Sequence, residues 1–216
     1  DDLARRDEAF GYADRFDEKY DFVRSLRKGR YKYIRNFQAY YPDGLQNNYR
    51  YRMLAYAQWR KLYEDGELNA VQRAFFAAKP AEALYNLEED PHEVHNLAGD
   101  QQHAKKLAEM RHLLFARMKE LPDLSLYPES VLVEQAMDEP IAFGKEHAEE
   151  IAQLLDVANL SLLPFADAKA DLEKALSASE PMHRYWALTA CSCFGQQAQT
   201  LVPSAKKLLD DDNLMV

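Results

Sequence analysis

Apolar and polar residues change rhythm along this 216-residue chain. Phe22-Val23-Arg24-Ser25-Leu26 and Tyr31-Lys32-Tyr33-Ile34-Arg35 are aromatic and β-branched, and Arg27-Lys28-Gly29-Arg30 separates them. Side chains alternate faces along a strand, and glycine supplies the positive φ of a tight turn, so the pattern predicts a β-hairpin. Tyr31, Tyr33, Arg35 and Phe37 share one face, with Lys32, Ile34 and Asn36 on the other. Neither face is cleanly apolar, so the sheet is expected to pack against more protein on both sides.

Pro42, Asp43, Gly44, Asn47 and Asn48 mark an irregular loop, after which Met53, Tyr56, Trp59, Leu62 and Tyr63 recover a helical period over 49–64. Asp65-Gly66 ends it. A second short helix is expected from Asn69 to Ala78, stopped by Pro80, with Leu84-Tyr85-Asn86-Leu87 as a returning strand. Asp100 is placed to cap a helix whose stripe is Leu107, Met110, Leu114 and Met118, running to Leu121 before Pro122.

Leu121 to Tyr127, with Pro122 and Pro128 as its breakers, reads as a connector, Pro140 marks another boundary, and beyond it the chain turns alanine- and leucine-rich. Helices are expected near 146–159, 166–177, 183–195 and 199–210. The stretch 175–188, with its polar turn before His183-Arg184-Tyr185-Trp186-Ala187, resembles the start of a HEAT-type repeat. A partial echo follows about 33 residues later at 208–216, a period that suits short helical repeats. The chain is expected to be truncated where the next repeat should begin. The fold class expected is α+β: a small antiparallel sheet with packed helices over 1–125, a linker over 126–140, and an all-α, HEAT-like region over 141–216.

Ala83-Leu84-Tyr85-Asn86-Leu87-Glu88-Glu89-Asp90-Pro91-His92-Glu93-Val94-His95-Asn96-Leu97-Ala98-Gly99-Asp100 reads as a strand, an acidic turn and a helix start. It also resembles a signature near the C-terminal end of type I sulfatases, with Asn86 where Asp is commoner. The hairpin region 20–37 is similar to the one that precedes this signature in heparan N-sulfatase-like members. Together they identify 1–125 as similar to a sulfatase C-terminal subdomain of the alkaline phosphatase superfamily.

That resemblance implies formylglycine, made from Cys or Ser in a Cys/Ser-x-Pro/Ala-x-Arg motif, and a calcium ion. This chain has no such motif: its cysteines lie in Cys191-Ser192-Cys193-Phe194-Gly195. No catalytic residue, metal ligand or cofactor is therefore expected in it, and it reads as the C-terminal part of a larger enzyme. Its partner would be the missing N-terminal catalytic domain. For that parent, the resemblance implies a periplasmic or secreted location.

Composition is that of an ordinary globular protein, and the net charge of -9 argues against a nucleic-acid partner. Locally, Arg24, Arg27, Lys28, Arg30, Lys32 and Arg35 could instead form a track for an anionic polysaccharide, or pair with nearby acids. No apolar run approaches the roughly 18 to 20 residues of a membrane span. His92-Glu93-Val94-His95 has its histidines three apart in a turn, not four apart on a helix as zinc hydrolases need, and reads as turn residues.

The best substrate-binding candidates lie in Phe10–Tyr20, which corresponds by resemblance to a loop facing the sulfatase pocket. Where family members carry His-Arg-Asp-Arg-Met-Asp-Glu, this chain has Tyr12 and Ala13 in place of His-Arg, while Asp14, Arg15, Asp17 and Glu18 match. A guanidinium forks onto a sulfate or uronate, and a carboxylate onto sugar hydroxyls. The sites expected are Tyr12, Asp14, Arg15 and Asp17, on a sulfated glycan; the competing reading has Asp14 and Arg15 as ion pairs that order the loop. The rival for the whole chain is a non-enzymatic helical-repeat interaction scaffold.

Overall fold

The computed structural model describes residues 7–16 and 18–216. Strands β1 (Glu8–Phe16), β2 (Lys19–Lys28), β3 (Tyr31–Asn36) and β4 (Glu82–Asn86) form an antiparallel sheet in the order β1-β2-β3-β4. The expected hairpin is β2–β3, turned by Gly29 at φ 57° with Lys28 opposite Tyr31. The segment Phe10–Tyr20, expected as a loop, is mostly strand: β1 pairs with β2 from Glu8↔Lys28 to Ala13↔Val23, then shifts register between Ala13 and Arg15. Ala9, Gly11 and Ala13 dilute its strand propensity. Gly11 is there for space, since a Cβ would stand 2.7 Å from Ser25 Oγ.

One face of the sheet holds Phe22, Leu26, Tyr33 and Leu84, all fully buried, with Phe37 stacked on Phe22 at 4.1 Å. Two arginines share that face. Arg35 is 0% exposed, donates to the carbonyls of Asn36 and Ala81 at 2.8 and 3.0 Å, and lies over the Phe37 ring at 4.5 Å. Arg24 is its cross-strand neighbour, also buried. This is the mixed face expected from the alternation.

The insertion between β3 and β4 begins with a 3-10 turn (Arg50–Arg52), then α1 (Leu54–Glu64) and α2 (Ala70–Ala74). A capping box between Asn69 and Gln72 starts α2. It ends four residues earlier than the periodicity predicts, because Phe75 and Phe76 turn to stack on Trp59 and Tyr63, each at 4.4 Å. No residue of α1 is fully buried. Lys79 Nζ anchors the insertion's end on Asp21 at 2.5 and 2.6 Å.

Asp100 caps a 3-10 turn (Gln101–His103) by accepting from Gln102 N–H at 2.9 Å, and α3 (Ala104–Glu120) follows. The chain divides into two compact units, Asp1–Arg111 and His112–Val216, with the division inside α3.

The second unit contains α4 (Glu129–Gln135), α5 (Pro140–Glu146), α6 (Ala148–Asn159), α7 (Phe165–Leu176), α8 (Pro181–Phe194) and α9 (Val202–Lys206). Ala168, Leu172, Ala175, Leu176, Ala187, Ala190 and Leu201 form a buried cluster in it. The segment 126–140 carries α4, and its Leu126 and Tyr127 are buried; Trp186 Nε1 donates to Leu126 O at 2.7 Å. In place of one helix over 199–210 there are a 3-10 stretch, α9 and a further 3-10 turn.

Candidate functional site

The stretch 83–100 is a structural clasp. Asn86 O accepts from Glu89 and Asp90 N–H at 3.2 and 2.8 Å, and Asn86 Oδ1 accepts from Glu88 N–H at 3.3 Å. Asp90 Oδ2 accepts from His95 N–H at 2.7 Å, which holds its carboxyl below the ordinary carboxylate pKa. Asn96 Oδ1 accepts from the N–H groups of Leu84 and Ala98 at 3.0 and 2.9 Å. Glu93, at φ 56°, turns its carboxylate onto Lys32 at 2.7 Å. His92 and His95 are exposed turn residues.

The resemblance-derived site falls on β1 and the β1–β2 turn. Tyr12 is 81% exposed and sits opposite Arg24. Asp14, at the register shift, accepts from Arg24 Nη1 at 2.8 Å; that guanidinium also donates to Val23 O and lies 4.4 Å over the Phe22 ring. Arg15 is exposed, 5.8 Å from the Tyr20 ring centroid. Glu18 accepts from Asn48 N–H at 3.2 Å; the N–H groups of Glu18 and Asn48 lower its pKa. Asp17 lies outside the described residues. The structure thus brings Tyr12, Asp14 and Arg24 together, with Arg24 the member that charge alone did not reveal: on a β-strand, an arginine reads as solvent-facing until the residues of its own face are known to be aromatic.

The expected polyanion track does not present itself as a row of open cations. Arg27 pairs with Asp7, Lys28 with Glu8 at 2.6 Å, Arg30 with Glu88 at 3.6 Å and Lys32 with Glu93. Arg24 and Arg35 are buried. The hairpin's charge is largely neutralised by acids that the sequence places up to 61 residues away.

Elsewhere, His147 packs: its ring stacks on Phe143 at 4.0 Å and its Nδ1 lies 2.9 Å from Phe143 O. Burial pushes the Cys191 thiol up to about 11, which makes it a poor nucleophile. Among the described residues, no three His, Cys, Asp or Glu side chains come together to hold a metal ion, and no helix is long and apolar enough to cross a membrane.

No family model matches the chain. Over 125 residues, 56% of the chain, it is 38% identical to a protein of Formosa agariphila described as an ulvan-active sulfatase. The relationship is to a sulfatase. The chain spans 20% of that sulfatase's length.

Proposed function

We propose that residues 1–125 serve as the C-terminal subdomain of a type I sulfatase, similar to the heparan N-sulfatases, that hydrolyses sulfate esters or sulfamates on a glycan. The 38% identity to a sulfatase carries this reading. The backbone bonding of Asn86, Asp90, Asn96 and Asp100 supports a structural role for the 83–100 stretch. In this account the chain completes the enzyme's fold, and Tyr12, Asp14, Arg15 and Asp17 line one side of its pocket.

The partner is an N-terminal catalytic domain of the same polypeptide, which would supply formylglycine and calcium. The parent would be periplasmic or secreted. Residues 141–216 would be a HEAT-like extension, a reading supported by the short turns between α6, α7 and α8.

Neither this chain nor the remainder of the enzyme should turn over a chromogenic aryl sulfate alone, with or without calcium, whereas co-expression of the two should restore activity. Turnover by this chain alone, free of host sulfatase and abolished by a substitution within it, overturns the proposal.

A second reading, a helical-repeat scaffold for a protein partner, is favoured by an open cleft of about 500 Å³ in the second unit, lined by Val157, Leu160, Asp171, Ala175 and His183 among others. A Cys/Ser-x-Pro/Ala-x-Arg segment in the same polypeptide decides for the enzyme.

A further inference from the structure

The insertion between β3 and β4 carries exposed tyrosines that the buried face of the sheet does not use, and two contacts fix where one of them stands. Lys19, the first residue of β2, pairs with Asp43 at 3.1 Å, and Glu18 accepts from Asn48 N–H at 3.2 Å. The loop between these points is braced internally. Buried Asn47 accepts through Oδ1 from Arg50 N–H at 2.7 Å, and the Tyr51 hydroxyl donates to Gly44 O at 2.6 Å. The loop 43–48 is thus clipped at both ends to the start of β2 and the residue before it, close to where Arg15 stands opposite Tyr20.

Tyr49 follows the Asn48 clip directly and is 65% exposed. A tyrosine ring on a braced loop offers a flat apolar face at little entropic cost, with a hydroxyl at its far end. The C–H face of a pyranose ring matches it, while the sugar's hydroxyls and anionic groups remain free for carboxylates and guanidinium groups nearby.

Resting on the sulfatase reading above, we infer that Tyr49 belongs to the same substrate site, as a platform on which a sugar ring of the glycan stacks while Arg15 takes an anionic group of that glycan. The insertion thereby adds a specificity-determining ring to the site on β1.

Calorimetric titration of the whole chain with ulvan oligosaccharides, native and chemically desulfated, tests this. Tyr49→Ala should weaken binding of both forms about tenfold, and Tyr49→Phe, which keeps the ring, should stay within about twofold of the parent chain. Arg15→Ala should weaken the native form alone. Thermal melts of each variant confirm that it folds, and Tyr49→Leu, apolar but without a flat face, should bind like Tyr49→Ala. If Tyr49→Ala binds like the parent while Arg15→Ala is weakened, the role of Tyr49 is wrong and the site on β1 stands. Equal losses in Tyr49→Ala and Tyr49→Phe overturn stacking. If the unsubstituted chain binds neither form, the site itself falls, and this inference with it.

Discussion

The Asn96 side chain bonds to β4 as a neighbouring strand would: Oδ1 accepts from Leu84 N–H at 3.0 Å and Nδ2 donates to Glu82 O at 3.1 Å. Leu97 N–H then donates to Leu84 O at 2.8 Å. This part of β4's outer edge is thereby closed by Asn96 and Leu97. Asn96→Ala leaves the Leu84 N–H without that acceptor inside the fold, so it should cost about 1 to 3 kcal/mol in urea unfolding and speed amide exchange at Leu84. Unchanged exchange at Leu84 would show that water replaces Asn96.

The acid side of the stability profile follows from the same clasp. Backbone N–H groups hold Asp90 and Asp100 below their ordinary pKa, from His95 and Gln102 respectively. A carboxylate depressed on folding contributes stability above its unfolded pKa and loses that contribution as pH falls through the folded value. Stability should therefore decline below about pH 4. The double variant Asp90→Asn, Asp100→Asn should flatten that decline; an unaltered slope would place the acid sensitivity elsewhere.

In the second unit, Arg184 binds Asp211 through Nε and Nη2 at 2.7 and 2.8 Å and gives Nη1 to the carbonyls of Ala178 and Ser179 at 2.8 and 2.7 Å. Lysine is a point charge and cannot hold this fork. Arg184→Lys should lower the melting temperature of the second unit by about 2 to 8 °C, followed through Trp186. No shift would mean that the turn before α8 is held by its apolar packing alone.

What the sequence disclosed was local. Gly29 and Asp100 are signals whose geometry is decided within a few residues, so the hairpin and the start of α3 were readable. β1 was not, because its small residues blur the alternation and its register shifts at Asp14. The pairing of Lys32 with Glu93 and the burial of Arg24 and Arg35 depend on chain brought from far away, which no spacing encodes. The segment 126–140 reads as a linker because prolines bound it, whereas the burial of Leu126 and Tyr127 and the hydrogen bond from Trp186 to Leu126 O depend on chain some 60 residues away. For the candidate site, the residues could be named but not Arg24's hold on Asp14.

The most direct test of the account is made in the longer enzyme proposed above, by comparing Arg15→Ala with the parent on two substrates. Arg15 is exposed beside a carboxylate held in place by Arg24, and in this account it contacts the saccharide rather than the reacting sulfur. The loss of one charge-assisted hydrogen bond should lower kcat/KM for a sulfated saccharide roughly ten- to a hundredfold and leave a small aryl sulfate nearly unaffected. Equal losses on both substrates, together with a lowered melting temperature, would contradict the account and make Arg15 a residue of structure alone.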